Sequence, residues 1–233
     1  MTLSIRSYIE RAAVADMPVA YDWDDEIPET TYASMDERIQ HRIAKTTFRG
    51  VMALAAGFAE WVAWRHAKTC SEPMLLQKIE ATWAGIVSFH YFKEVPLPRM
   101  SSWEGPIRGA IWSGVKWLDD IVDLTRRDQP AYPEVVCVAQ LAEYVMPNAE
   151  AFKQWRRFVI GHLAKLYPRE QSDSLGAPVP REVLDPDFKY NPDQGPALIN
   201  AFLSKLDPEQ NPYLCSAKEM LDKGFTGTPY VYP

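Results

Sequence analysis

The amino-acid sequence predicts an all-α fold, a single-domain bundle of about six helices closed by a proline-rich strap. Apolar residues recur at spacings of three, four and seven, which is the periodicity of one helical face. No strand-length run of alternating apolar and polar residues competes with this pattern before Tyr167. Proline is concentrated after it, with ten of the nineteen prolines from Pro168 onward. We therefore expect a helical bundle over residues 1–167 and, in the same domain, a mostly irregular strap over residues 168–233.

The first two helices are predicted on either side of an acidic stretch. The first covers residues 3–15, and the acidic stretch follows over residues 22–29. Ser34 and Glu37 have the spacing of a capping box, in which each side chain satisfies a free backbone donor at a helix start. A long helix is expected from there to about residue 67. Its apolar face carries Ile39, Ile43, Thr47, Leu54, Phe58 and Trp61.

Four further helices complete the predicted bundle. The third starts near Pro73, because proline is tolerated in the first turn of a helix. Its buried face carries Leu76, Ile79, Trp83, Ile86 and His90. A loop that contains Pro96, Pro98 and Trp103 then leads to a helix over residues 106–127. The last two helices are predicted over residues 133–145 and 148–166.

The strap is expected to pack on the bundle rather than extend into solvent. It contains seven aromatic side chains, which would be costly to leave in water. Its prolines prevent a long helix, but two short helices are predicted over residues 197–206 and 216–223. The second of these has a capping box, Ser216 and Glu219, and ends at Gly224.

Composition restricts the classes of function. The net charge of −6 disfavours a nucleic-acid partner, because phosphate binding needs a clustered basic face. The longest apolar stretch, residues 50–59, is too short to cross a bilayer, so no membrane partner is expected. The N-terminal residues lack the pattern of a signal peptide. Three widely separated cysteines have neither metal nor redox spacing, so the sequence predicts a cytoplasmic protein with free thiols.

One motif points towards metal chemistry. Asp119, Asp120 and Asp123 resemble the aspartate-rich motif of isoprenoid synthases, over a match of five residues. The resemblance implies carboxylates that hold Mg²⁺ for a diphosphate substrate. On a helical wheel, however, these aspartates lie opposite the apolar face or at its edge. Lys116 and Arg127 are placed four residues from Asp120 and Asp123, which predicts ion pairs on a solvated helix face.

Other catalytic and cofactor motifs are lacking in the sequence. The histidines lie on different predicted helices without the Glu-x-x-His spacing of a bundle metal site. Of these, His90 and His162 fall on apolar faces and are interpreted as packed side chains. The sequence shows no nucleophile elbow and no phosphate-binding loop, so no cofactor is expected.

Trp112 does not follow the apolar face of its predicted helix. On the helical wheel it lies among charged side chains of both signs, namely Arg108, Asp119, Asp123 and Arg126. An aromatic anchor with a polar rim is typical of a recognition surface. The alternative is that the loop containing Trp103, or the strap, covers this tryptophan. By contrast, Trp61, Trp83 and Trp117 follow apolar faces and are expected in the core.

The acidic stretch is the second candidate surface. Trp23 is embedded among carboxylates, and no basic residue interrupts residues 22–29. Such a segment can steer and bind a basic partner through its negative potential. The alternative is an ordinary solvated connector between helices.

These observations favour a non-enzymatic cytoplasmic protein that binds another protein. An acidic helical protein without catalytic motifs fits an immunity or antitoxin-type inhibitor that covers the active site of a basic toxin. The predicted contact residues are Trp23, Asp24, Asp25, Glu26, Trp112, Asp119 and Asp123. One alternative is a metal-dependent all-α enzyme that acts on a phosphorylated substrate through Asp119, Asp120 and Asp123. A second alternative is a structural subunit that forms homo-oligomers through its tryptophans.

Overall fold

A computed structural model describes residues 3–34, 36–170 and 172–232 of the 233-residue chain. These residues form ten α-helices and no strand, which confirms the all-α prediction. The helices are α1 (Ser7–Arg11), α2 (Glu29–Tyr32), α3 (Glu37–Ile43), α4 (Phe48–Arg65), α5 (Met74–Val87), α6 (Pro106–Arg126), α7 (Tyr132–Tyr144), α8 (Glu150–Leu166), α9 (Gly195–Leu203) and α10 (Ala217–Asp222). None of them is both long and apolar enough to pass through a bilayer.

Helix α4 is the centre of the bundle and packs against α5, α6, α7 and α8. Nearly all of its side chains are buried, as expected for a helix that is apolar on every side. Gly57 shows how its small residues allow close packing. A Cβ atom there would lie 2.5 Å from Leu184 Cδ1 and 3.1 Å from the indole of Trp155. The strap and α8 therefore both approach the α4 backbone at this glycine.

The last three bundle helices agree with the prediction to within two residues at each end. Helices α6 and α7 both have proline in the first turn, where the missing N–H removes no helical hydrogen bond. Helix α8 buries Phe152, Trp155 and Val159 on one face. Local sequence signals were sufficient here because apolar periodicity and proline placement indicate the same boundaries.

The single long helix predicted from Ser34 to about residue 67 was wrong, because α3 and α4 are separate helices. Thr47 N–H donates to Tyr167 O (3.0 Å), and Thr46 Oγ1 donates to the same carbonyl (2.8 Å). These contacts with the end of α8 take the backbone out of the helical path. The predicted capping box is also absent, since the Asp36 carboxylate caps α3 by accepting from Ile39 N–H (3.0 Å).

The first and third predicted helices are shorter than expected. After α1 the backbone turns at Ala13, which has a left-handed φ of 49°. Helix α5 ends at Val87 because Ser88 is extended and its hydroxyl accepts from His90 N–H. His90 therefore lies in a short 3-10 turn and does not extend the buried face of α5.

The strap contains the two short helices predicted for it, and it contacts the bundle along its length. The capping box of α10 is confirmed, and Gly224 follows with a φ of 80°. The Trp155 indole donates to Leu184 O (2.8 Å). Arg181 makes a two-point ion pair with Glu60 of α4, through Nε to Oε1 (2.7 Å) and Nη2 to Oε2 (2.6 Å). The strap thus supplies a charged partner to the interior of the bundle.

Candidate functional site

Residues 22–29 form an exposed segment, called here the acidic segment, that is held in place by its neighbours. Asp24 Oδ1 accepts from the backbone N–H groups of Glu26 (2.8 Å) and Ile27 (3.1 Å), which closes a turn. Asp25 Oδ1 accepts from Gly105 N–H (2.7 Å) just before α6. The Tyr144 hydroxyl at the end of α7 donates to Asp22 O (2.6 Å). The segment is therefore anchored to two helices of the bundle.

Trp23 acts mainly as the packing residue of the acidic segment. Its indole is half-buried and stacks on Tyr32, with ring centroids 5.8 Å apart and an interplanar angle of 17°. A Cβ atom on Gly109 would overlap this indole, so α6 needs a glycine at that position. The exposed apolar side chain of the segment is instead Ile27, which is 55% exposed. Sequence reasoning did not single out Ile27.

The carboxylates of the acidic segment lack cationic partners. None of Asp22, Asp24, Asp25, Glu26 and Glu29 lies within ion-pair distance of a basic side chain in the part of the chain that the structure describes. Elsewhere on the surface, carboxylates such as Asp120 and Asp123 are paired. Five unpaired negative charges over eight residues produce a strong local potential.

Of the two alternatives that the sequence left open for Trp112, the structure shows the covered side chain. Its side chain is buried, and its indole N–H donates to Pro98 O (2.8 Å). The loop before α6 therefore covers it, which was the alternative considered from the sequence. All eight tryptophans of the chain are buried or half-buried.

The three aspartates of α6 each pair with a cation. The predicted ion pairs Lys116–Asp120 (2.9 Å) and Arg127–Asp123 (2.8 Å) are both present. Asp119 pairs with Lys78 of α5 (Nζ–Oδ1 2.5 Å). The Lys78 side chain is fully buried.

Aromatic rings complete the surroundings of Lys78. Its ammonium lies 3.9 Å from the Tyr213 ring centroid and 4.8 Å from that of Phe92. Burial lowers the pKa of Lys78, and the charge of Asp119 opposes that shift. The Asp119 carboxylate therefore compensates the buried charge of Lys78.

The aspartates of α6 belong to no cluster of potential metal ligands within the described part of the chain. Across residues 3–34, 36–170 and 172–232, no group of three or more His, Cys, Asp or Glu side chains is arranged to hold a metal ion. The Asp119-Asp120-x-x-Asp123 motif carries three ion pairs, of which the helical wheel indicated the two at Asp120 and Asp123 and not the one at Asp119.

A buried polar cluster that sequence reasoning did not single out lies at the end of α4. His66 Nε2 and the Tyr21 hydroxyl are 3.1 Å apart, and that hydroxyl donates to Pro106 O (2.8 Å). His66 Nε2 is therefore the donor to Tyr21. Arg65 donates to Val145 O (3.0 Å) and to the carbonyl of Pro18 (2.8 Å). Burial, together with the Arg65 charge, lowers the pKa of His66 to about 4.

We expect His66 to make the fold sensitive to mild acid. Between the ordinary histidine pKa of about 6.5 and the lowered value, the unfolded chain binds a proton that the folded chain does not. Stability should therefore fall as the pH falls through this range, by about 3 kcal/mol in total. Urea unfolding at a series of pH values measures the effect. His66→Gln should remove this part of the profile, whereas His41→Gln on the surface should leave it unchanged. Identical slopes for the wild type and His66→Gln would contradict the assignment.

A second charged surface, called here the basic groove, lies beside α3. It is a groove of about 740 Å³ whose lining includes Arg38, His41, Arg42 and Tyr132. Arg169 extends it, since its side chain lies over the Tyr132 ring and donates to the Tyr132 hydroxyl.

Lys45 is exposed and follows Ala44 of the lining, and its backbone carbonyl accepts from Arg169 N–H (2.9 Å). Arg38, His41 and Arg42 of α3 have the spacing i, i+3 and i+4 of one helical face. That spacing was the sequence signal for this surface, and it was not used.

No protein-family model, curated protein or solved structure matches this chain. A functional assignment therefore depends on the chemistry of its own surface. The acidic segment and the basic groove each concentrate charged side chains of one sign that form no ion pair within the described part of the chain.

Proposed function

We propose that this chain is a non-enzymatic cytoplasmic protein that binds another protein through its acidic segment, and that the partner presents a basic surface. The observation that carries the proposal is the row of five unpaired carboxylates on a segment fixed by Asp24, Asp25 and Tyr144. A segment that is already ordered loses little conformational entropy on binding, so more of the interaction energy appears as affinity.

The composition of the acidic segment resembles that of an interface with one apolar anchor and a charged rim. Ile27 is exposed at its middle, with Glu26 beside it and Asp24 and Asp25 preceding it. The carboxylates would accelerate encounter with a basic partner, and burial of Ile27 would add affinity.

Among protein-binding roles, we favour an immunity or antitoxin-type inhibitor. Toxins that act on nucleic acids have basic active sites because they bind phosphates. A rigid acidic segment is complementary to such a site and can cover it. The proposed cytoplasmic location is supported by the three cysteines, which are all free thiols.

The test compares two variants with matched changes in charge and exposed apolar surface. Glu26→Lys with Ile27→Ser alters the acidic segment. Glu209→Lys with Leu221→Ser makes the same changes on the strap, where both side chains are exposed. Proteins encoded beside this gene are the first partners to test, by co-purification and then calorimetric titration. We expect the first variant to raise Kd at least about tenfold and the second to leave it unchanged.

Ionic strength provides the second readout of this experiment. Affinity for the wild-type chain should decrease with added salt, because surface charges are screened. The salt dependence should be weaker for Glu26→Lys with Ile27→Ser. A partner that binds both variants equally well, or binds without dependence on salt, would contradict the proposed role of the acidic segment.

A further inference from the structure

The basic groove is an unneutralised positive surface on a negatively charged protein. Among the described residues, Arg38, Arg42, Lys45 and Arg169 form no ion pair with a carboxylate. Glu37 is the one acidic residue that contributes to the lining. The whole chain carries a net charge of −6, so these four cations oppose the overall charge. The groove therefore has the electrostatic character of a binding site for an acidic group.

Two of the cationic side chains at the groove are held in place by neighbouring residues. Arg169 lies over the rings of Phe48 and Tyr132, with its guanidinium carbon 5.0 and 5.8 Å from their centroids. Arg42 donates to Arg157 O (3.2 Å), which joins α3 to α8. Aromatic stacking and hydrogen bonds restrict these side chains, so their charges are presented in fixed positions.

The acidic segment has the complementary charge but is anchored at the opposite end of α7 from the groove of its own chain. Tyr132 of the groove is the first residue of α7, and Tyr144, which holds Asp22, is the last. Twelve residue steps of an α-helix span about 18 Å. That distance is about twice the Debye length at physiological salt, so neither surface neutralises the other within one molecule.

We propose that the basic groove binds the acidic segment of a second copy of this chain, head to tail. The carboxylates of one copy would pair with Arg38 and Arg42 of the other, and Ile27 would contact the apolar parts of Ala44 and Tyr132. The pair would still have one free groove, on the first copy, and one free acidic segment, on the second. Such a heterologous contact produces either a closed ring or an open chain of molecules.

This inference uses the same acidic segment as the proposed function, but it does not require the proposed partner. Self-association would occupy the segment at high protein concentration, and a basic partner would compete for it. Substitutions in the basic groove distinguish self-association from binding of a basic partner, because they affect self-association and leave the acidic segment intact.

Sedimentation velocity of the full chain at several concentrations tests the proposal. At about 0.01 M salt, where the Debye length is about 30 Å, we expect the average mass to rise with concentration. At about 1 M salt, where that length is about 3 Å, the chain should sediment as a monomer.

Charge reversal in the groove should abolish the association. For Arg38→Glu with Arg42→Glu we expect the dissociation constant to rise at least about tenfold. Arg38→Glu alone is a second variant, because Arg38 is exposed and its side chain forms no hydrogen bond with another described residue. The matched control is Lys205→Glu with Lys218→Glu, two exposed lysines on the strap, and it should associate like the wild type at equal net charge.

A mixing experiment identifies the two surfaces as partners. The groove variant retains an acidic segment, and Glu26→Lys with Ile27→Ser retains a groove. Each alone should be monomeric, whereas the mixture should form a 1:1 complex and nothing larger. A wild-type chain that stays monomeric at low salt would overturn the proposal. Association that persists in the groove variant would also overturn it. A mixture that does not form the 1:1 complex would have the same consequence.

Discussion

Replacing Glu60 with glutamine is expected to lower the free energy of unfolding by about 3 kcal/mol or more. The Glu60 side chain is 1% exposed and that of Arg181 is 8% exposed, so their ion pair lies inside the fold. Removing one charge leaves the other buried without compensation, which costs far more than the pair itself contributes. Glutamine keeps an oxygen for the Trp83 indole, which donates to Glu60 Oε1 (3.0 Å). The substitution therefore isolates the loss of charge.

Two controls separate this effect from a general loss of ion pairs. Glu94 pairs with Arg126 at the surface and is 72% exposed, so Glu94→Gln should cost less than about 1 kcal/mol. Adding Arg181→Met to Glu60→Gln removes the uncompensated cation and should restore most of the lost stability. Urea unfolding of the four proteins measures all three differences. Equal costs for Glu60→Gln and Glu94→Gln would show that burial of the pair has no energetic consequence.

Replacing Asp119 with asparagine should destabilise the fold by a similar amount, about 3 kcal/mol. The reason is Lys78, which is 0% exposed and would lose its only carboxylate partner among the described residues. The rings of Tyr213 and Phe92 would still contact the ammonium and offset part of the cost. Without Asp119 the pKa of Lys78 should be lowered further. The stability of this variant should then rise with pH in the alkaline range below the ordinary lysine pKa, because only the unfolded chain remains protonated there.

Asp123→Asn is the matched control for Asp119→Asn. Both aspartates lie on α6, four residues apart, but Asp123 pairs with Arg127 at the surface. The control should cost less than about 1 kcal/mol. Combining Asp119→Asn with Lys78→Met should recover stability, since methionine fills the same space without charge. If Asp119→Asn and Asp123→Asn are equally stable, Lys78 does not depend on Asp119.

The sequence predicted the fold class and the later bundle helices because those depend on local signals. The apolar periodicity of α6, α7 and α8 and the prolines at the starts of α6 and α7 are visible within each segment. The break between α3 and α4 was missed because its cause is distant in the chain. Tyr167 accepts the hydrogen bonds of Thr46 and Thr47, and no pattern near the threonines indicates that contact.

The features of the candidate surfaces also differ in whether a local sequence signal identifies them. The acidic segment is a run of charges and can be identified from composition alone, as can the helical spacing of the basic groove. The burial of Trp112 depends on an irregular loop whose path no periodicity describes. Lys78 and Asp119 lie on different helices, 41 residues apart, so their pairing leaves no local trace. Helical-wheel reasoning placed the charges of α6 correctly but could not identify a partner on α5.

The Glu60–Arg181 ion pair has a consequence for the order of events during synthesis. Arg181 lies 121 residues after Glu60, so at about 5–20 residues per second it is added about 6–24 s later. During that interval the nascent bundle contains a carboxylate that its interior cannot accept as a lone charge. Helix α4 therefore cannot complete its packing against the other bundle helices while the ribosome is still translating the bundle. Arg181 of the strap, which is made after all the bundle helices, allows the first long helix to complete the core.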